Sequence, residues 1–246
     1  MPRKSEIAAV KLWLVLLLLL LSVATHGQRA LLVERATEYD ERAVVADELR
    51  HDHQLALALT DSALRLWIAL DDKLETARLL QYRAYLASRL GRTAEALGDI
   101  QESLRLYAEK KARYGVPAGW FVLGRIYLHS SNTDSAVYYT RKAVLEWQRN
   151  KQYQRLFAGY NQLCYLLLQR NELDEVEKYL QQAQQLFERQ SPRWHDRLDY
   201  YFLSEQFYST LKQWDKADEY RRLYQTLRAS LQADGIEARG YITGLK

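Results

Sequence analysis

Small side chains recur along this sequence at intervals of about forty residues, and this periodicity constrains the fold more than any other feature. One column of small residues has spacings of 40, 40, 40 and 41: Ala56, Ala96, Ala136, Val176 and Ala217. A second column, seven residues further on, contains Ala63, Ser103, Ala143, Ala183 and Tyr224. Aromatic residues follow four positions later at Trp67, Tyr107, Trp147 and Phe187. A fixed period of this length predicts a chain of stacked structural repeats.

Each repeat has the pattern of a helical hairpin. Two amphipathic stretches are separated by turn-prone residues, as at 90–93 and 130–133. Thr93 and Thr133 are expected to cap the second helix of their hairpins. The sequence has only 10 Gly and 3 Pro, which is too few for a loop-rich or all-β chain. Since small residues let antiparallel helices approach closely, the sequence predicts an all-α fold, an α-solenoid of about five antiparallel helical hairpins.

The third repeat carries a recognisable set of residues: Trp120, Leu123, Gly124, Tyr127, Ala136 and Ala143. These match the Trp, Leu-Gly, Tyr and two Ala positions of the tetratricopeptide repeat (TPR), so the chain resembles this family. The resemblance implies a right-handed superhelix over residues 28–231, with units at about 34–73, 74–113, 114–153, 154–193 and 194–231. The usual unit of the family has about 34 residues. The longer unit here resembles those of bacterial TPR sensor and regulator ectodomains.

Polar residues replace the expected apolar or small ones in the two terminal repeats. The first repeat has Asp40 and Asp47. The fifth has Glu205 in a third column, twelve residues before the first column, whose other members are Val44, Ala84, Gly124 and Cys164. Terminal units of a solenoid present a polar outer face to solvent, so these residues are interpreted as parts of such faces. Residues 232–246 are too few for another unit and are interpreted as a C-terminal tail or capping segment.

The N-terminal segment, 1–27, has the features of a signal peptide. Arg3, Lys4 and Lys11 precede an apolar run of about a dozen residues, shorter than the roughly 20 that a membrane-spanning helix needs. Cleavage after Ala24 and cleavage after Gly27 are both compatible with the sequence. The mature chain is therefore expected in a periplasmic or extracellular space without membrane insertion. The alternative is a chain anchored in the membrane by its uncleaved N-terminal segment.

The TPR resemblance also implies where a partner binds. In this family the first helix of each hairpin lines the concave face, and the matching positions here combine aromatic rings, amides and cations. They are Arg78, Gln81, Tyr85, Arg89, Phe121, Arg125, His129, Asn161, Tyr165, Gln169, Phe202 and Gln206. Arg89, Arg125 and His129 would suit an acidic segment or a C-terminal carboxylate.

Catalytic and metal-binding interpretations find little support. The two imidazoles of His51-Asp52-His53 are only two residues apart and fall in a turn, so this triplet is interpreted as solvated. His195 and Asp196 are expected to cap a helix start. Cys164 falls in a third small-residue column and is expected to be buried packing. We therefore expect no enzymatic activity, no metal and no cofactor.

The charge pattern bears on the class of partner. The formal net charge is +4, and part of the excess lies in the N-terminal segment, while acidic and basic residues alternate along the helices. A nucleic-acid binder would show a basic stripe, so no nucleic-acid partner is expected. The sequence favours a non-catalytic scaffold that binds a protein or peptide in its concave groove. The alternative is a sensor or regulatory ectodomain related to TPR-containing bacterial histidine kinases or transcription regulators, without its output domain.

Overall fold

The computed structural model describes residues 27–240 and residue 242. This part of the chain is helical, without strands, and a 3-10 turn at Arg113–Gly115 precedes the fifth helix. The helices are 27–48 (α1), His53–Ala69 (α2), Lys73–Arg89 (α3), Thr93–Glu109 (α4), Val116–His129 (α5), Thr133–Arg149 (α6), Tyr153–Gln169 (α7), Leu173–Arg189 (α8), Trp194–Thr210 (α9) and Trp214–Ala233 (α10).

Consecutive helices pair into five hairpins, which stack in chain order. The contacts run within hairpins, as between α3 and α4, and from each hairpin to the next, as between α4 and α5. The first helices of successive hairpins also touch, as α3 does α5 and α7 does α9. The predicted all-α solenoid of helical hairpins is confirmed. The predicted signal peptide lies outside the described residues, apart from Gly27 at the start of the described part of α1.

The turns repeat one backbone geometry. A left-handed residue lies two residues past the last helical residue in the turns after α5 and α7, at φ 59° for Ser131 and 57° for Asn171, and three residues past it after α1, at φ 52° for His51. The next residue donates its N–H to a carbonyl five residues earlier, as Asn132 does to Tyr127 at 2.8 Å. This is the Schellman arrangement that satisfies the last carbonyls of a helix. This arrangement reverses the direction of the chain, and at most of these turns the left-handed residue is not a glycine.

This turn geometry explains why the predicted N-caps are wrong by one residue. The residue that follows the left-handed position is already the N-cap of the next helix, so the caps are Arg92 and Asn132, not Thr93 and Thr133. The Oδ1 atom of Asn132 accepts a hydrogen bond from the Ser135 N–H at 3.2 Å, whereas Arg92 provides no side-chain cap.

The small-residue columns lie where the helices pack. Every member of the first column is fully buried, and so are Ala63, Ser103, Ala143 and Ala183 of the second. Ser103 satisfies its hydroxyl by donating to the Ala77 carbonyl at 2.7 Å. Cys164 is fully buried as expected, and burial raises the pKa of its thiol far above the ordinary value. The forty-residue period therefore reflects buried helix contacts that recur in each hairpin.

Within 27–240 and at 242, no helix combines the length and the apolar character needed to cross a membrane.

Candidate binding cavity

The five hairpins curve toward their first helices. Arg193, just before α9, lies 3.6 Å from Glu48 at the end of α1, measured from Nη1 to Oε1. The first and fifth hairpins can meet in this way only if the stack bends toward the side that carries α1 and α9. The first helices therefore line the concave face.

A cavity of about 880 Å³ lies on this concave face. Residues of α1, α3, α5, α7 and the start of α9 form its walls, together with the loop 190–193. Trp147 of α6 and Leu186 of α8 lie deeper between the first helices. The volume is within the range of about 300–1,000 Å³ that is usual for ligand sites.

Charges of both signs line the cavity. The acidic residues are Asp40, Asp47, Glu48 and Asp196, and the basic residues are Arg78, Arg125, Arg155 and Arg193. Aromatic rings lie between them: Tyr82, Tyr85, Phe121, Trp147, Tyr153 and Phe157. This composition suits a partner with both apolar and polar groups, and it does not select one sign of charge.

Arg125 has the most elaborate surroundings of the predicted groove residues. Its guanidinium carbon lies 5.1 Å from the centre of the Tyr85 ring and 4.8 Å from the centre of the Phe121 ring. Its Nε donates to Gln162 Oε1 at 3.2 Å. Cation–π contacts and a hydrogen bond thus hold one cation between α3, α5 and α7. Because these contacts fix its position, Arg125 is a preorganised part of the cavity wall.

Two other predicted groove residues that line the cavity make strong internal contacts. Arg78 is ion-paired with Asp40 of α1 and with Glu75. Gln81 is buried and donates to the Gly115 carbonyl at 3.0 Å, so its amide holds the start of α5 in place. Together with Tyr85, Phe121 and Arg125, these two are the predicted residues that the structure places in the cavity.

The structure places the other seven predicted residues outside this cavity. Asn161 is buried and donates from Nδ2 to the Asp196 carbonyl at 2.8 Å. Tyr165 and Phe202 are half-buried and pack against the core, while Gln169 and Gln206 are exposed. Arg89 and His129 are the remaining two. These positions follow the family pattern in sequence, but they are not part of the cavity wall.

Arg89, Arg125 and His129 lie near one another, but His129 adds no positive charge to the group. Arg89 Nε lies 3.3 Å from His53 Nε2. His129 Nδ1 lies 3.0 Å from Ser88 Oγ, and burial, followed by the nearby Arg89 and Arg125, lowers the pKa of His129 to about 4. His129 is therefore uncharged at neutral pH, and it cannot attract an anion.

The acids of α1 correct the interpretation of the first repeat. Asp40 and Asp47 face the cavity side of α1 and are not parts of an outer face. Asp47 is 4% exposed and is held by His53 Nδ1 at 2.8 Å and by the Tyr82 hydroxyl at 3.2 Å. The 38-residue interval between Asp40 and Arg78, close to one repeat, is the sequence signal that could have suggested this pairing.

The expectation that His195 and Asp196 cap α9 is wrong, whereas the expectation of a solvated His51-Asp52-His53 holds in part, because Asp52 is exposed and the two histidines are half-buried. Arg193 is the N-cap residue of α9, and no side chain there makes a capping hydrogen bond. Both His195 and Asp196 are buried, and burial raises the pKa of Asp196 to about 6. Asp52 caps α2 through Leu55, and His51 and His53 both have hydrogen-bond partners.

Among residues 27–240 and at 242, no cluster of three or more His, Cys, Asp or Glu residues could hold a metal ion.

Comparison with known proteins supports the fold. No protein-family model matches the sequence, and no curated protein matches it either. Aspartyl phosphate phosphatase F from Bacillus subtilis is similar in structure, with a TM-score of 0.63 and 18% identity over 96% of this chain and 57% of that chain. A Rap protein in complex with competence and sporulation factor gives a TM-score of 0.69 and 17% identity, over 81% of this chain and 55% of the other.

A third similar structure consists of TPR-like repeats. It is a kinesin light chain from Podosopora anserina with TPR-like repeats, with a TM-score of 0.55 and 15% identity over 84% of this chain and 97% of that chain. The chain thus has the fold of TPR-like helical repeat proteins. It spans little more than half the length of the first two of these structures.

Proposed function

We propose that this chain is a non-catalytic scaffold that binds a protein or peptide partner in its concave cavity. The observation that carries the proposal is the cavity of about 880 Å³ on the face of the first helices. Its wall combines aromatic rings with arginines, the residue types that dominate binding energy at protein interfaces. A repeat solenoid presents such a face as an extended concave surface, which suits a chain-like partner.

The comparison with known structures adds support of a limited kind. One similar structure is a Rap protein solved together with competence and sporulation factor. A solenoid of this shape can therefore hold another molecule.

Selection of peptides on the full chain tests the proposal. Random peptides displayed on phage are selected on the immobilised protein, and the affinities of synthetic copies are measured by fluorescence polarisation. Arg155 is exposed and lines the cavity. We expect Arg155→Glu and Phe121→Ala to weaken binding at least about 10-fold, equivalent to about 1.4 kcal/mol.

Gln169→Ala is the matched control, because Gln169 is exposed and lies outside this cavity. We expect it to change the affinity less than about 2-fold, a few tenths of a kcal/mol. If the selected peptides bind the two cavity variants as tightly as the unaltered chain, the cavity is not the binding site. Circular dichroism of each variant shows whether the helical fold is retained.

We also propose that this scaffold is exported. The support is the N-terminal segment with its basic residues and short apolar run. N-terminal sequencing of the protein recovered from cells tests this. A mature chain that begins at Thr25 or Gln28 agrees with the proposal, whereas a chain that retains the segment points to the anchored alternative.

A further inference from the structure

The segment that follows α10 lies on the last hairpin as an extended chain. Ala238, Gly240 and Ile242 are buried, whereas Arg239 and the preceding Glu237 are exposed. Alternation with a period of two residues is the pattern of an extended chain with one face against a surface. Ala238 packs in a small cluster with Leu198 of α9 and Leu231 of α10. The segment is therefore docked on the last hairpin.

A buried carboxylate of α9 holds this segment by its main chain. Asp199 is 1% exposed, and its two oxygens each lie 3.0 Å from the Ile242 nitrogen, which donates its N–H to the carboxylate. The site recognises the backbone of the segment and is therefore specific for an extended chain.

Gly240 is required for the close approach to Asp199. A Cβ atom at this position would lie 2.0 Å from Asp199 Oδ1 and 3.0 Å from the His195 carbonyl oxygen. Both distances are too short for a side chain, so only glycine lets the backbone reach the carboxylate.

The same segment also reaches the first hairpin. His51, in the turn between α1 and α2, lies 2.8 Å from the Glu237 carbonyl oxygen through its Nε2 atom. A carbonyl oxygen only accepts hydrogen bonds, so Nε2 carries the proton and donates. The segment thus contacts a residue that lies 186 positions earlier in the chain. The ion pair of Arg193 with Glu48 also joins the last hairpin to the first.

We propose that residues 236–240 and Ile242 form a strap that fastens the last hairpin to the first and holds the concave cavity closed at this end. The strap occupies a site on α9 for an extended chain with glycine opposite Asp199. His51 is the attachment point on the first hairpin. The closure does not depend on the proposed function, whereas its consequence, control of partner access to the cavity, rests on that function.

Distances between spin labels test the closure in the full chain. Cys164 is the only cysteine and is buried, so labels attach to cysteines introduced at exposed positions, Gln54→Cys in α2 and Gln232→Cys in α10. Pulsed electron paramagnetic resonance should give one narrow distribution of distances between the two labels in this double variant. Adding Gly240→Val should broaden the distribution and shift it to longer distances. An unchanged distribution would overturn the proposal.

Gly98→Val is the matched control, because Gly98 is exposed on α4 and an added Cβ there meets nothing within 4 Å. It should leave the distance distribution unchanged. His51→Asn is a second variant that leaves the α9 site intact. Asparagine tolerates the left-handed backbone of this position, and its shorter side chain cannot reach the Glu237 carbonyl. His51→Asn should also lengthen the measured distance, even if Gly240→Val fails to fold.

A labelled peptide tests the site on α9 separately. A fluorescein-labelled synthetic peptide of residues 234–242 should bind the Gly240→Val chain, whose own segment is displaced. It should bind the unaltered chain and the His51→Asn chain at least about 10-fold more weakly, because their sites are filled. A peptide that itself carries Gly240→Val should not bind. Equal binding of the unmodified peptide to all three chains would refute an extended-chain site on α9.

Discussion

The contacts between successive hairpins and the contacts between the first and last hairpins differ in kind. Trp147, Phe157 and Leu163 belong to one buried apolar cluster that runs from the third hairpin into the fifth. The first and last hairpins meet instead through the ion pair of Glu48 with Arg193 and the hydrogen bond of His51. Apolar packing fixes how each hairpin sits on the next. The ion pair between the two ends is partly exposed, and a pair of this kind is individually weak.

This difference separates the part of the molecule that supplies stability from the part that can be adjusted. Burial of apolar area is the main favourable term in folding, whereas partly exposed ion pairs contribute little. A partner or a change in conditions could therefore open the closure without unfolding any hairpin. The predictions below test this separation, beginning with the largest expected effect.

Truncation in the apolar stack should have the largest effect. Trp147 is 2% exposed, and its ring centre lies 5.2 Å from that of Phe121. We expect Trp147→Ala to lower the free energy of unfolding by about 3–5 kcal/mol, measured by urea denaturation. Trp214→Ala is the control, since Trp214 is exposed on α10, and its effect should stay within about 0.5 kcal/mol. Similar losses of unfolding free energy in both variants would contradict the conclusion that apolar packing between hairpins supplies most of the stability.

Enlarging a small-column residue should have an intermediate effect. Ala143 is fully buried where α6 packs against its neighbours. We expect Ala143→Leu to lower the free energy of unfolding by about 1–3 kcal/mol, because the added methyl groups force the helices apart. Ala58→Leu, at an exposed position of α2, provides the control in the same denaturation series. A neutral Ala143→Leu would show that the columns are not tight contacts.

The pH dependence of stability should report the buried His129. Its pKa is about 4 in the folded chain, chiefly because of burial, and about 6.5 in an unfolded chain. Below pH 6.5 the unfolded state takes up the proton first, so stability is lost as the pH falls toward 4. Between pH 7 and pH 5 the unaltered chain should lose on the order of 1–2 kcal/mol more than His129→Gln. Urea denaturation at both pH values measures this, and parallel losses would exclude His129 as the cause.

The ion pair at the closure should have the smallest effect on stability. The Arg193 side chain is 59% exposed and that of Glu48 is 28% exposed. We expect Arg193→Ala to change the free energy of unfolding by about 0–1 kcal/mol. Double-variant measurement with Glu48→Gln isolates the contribution of the pair. A loss well above this range would show that the closure is a stabilising interface comparable with the stacked hairpins.

The repeated columns explain how much of the fold could be predicted from the sequence. Ala96, Ala136 and Ala143 each report a local helix contact that recurs at a fixed interval, so one pattern determines all the hairpins. The N-cap error at Thr93 and Thr133 arose at the single-residue level, because several adjacent residues in each turn can serve as caps. Turn geometry had to be seen to choose between them.

The candidate site was predicted less completely. The first helices do line the concave face, and Arg78, Phe121 and Arg125 lie in the cavity. Asp47 and Asp196 line the cavity, whereas Gln206 lies outside it. Both outcomes depend on how the small rotation between each hairpin and the preceding one accumulates along the stack. No local sequence pattern specifies this accumulated rotation. Contacts between residues far apart in the sequence could therefore not be predicted from it.

The left-handed turn residues have a consequence for the length of such a chain. Asp71, Lys111 and Lys151 stand at equivalent points, forty residues apart, in the turns between hairpins. A block of forty residues could be duplicated or removed between any two of them, and every turn would keep its geometry. The last hairpin would then stand at a different angle to the first, and His51 would no longer find the Glu237 carbonyl. The meeting of the two ends is therefore a property of the number of repeats, and a gain or loss of one unit would produce an open spiral from nearly the same sequence.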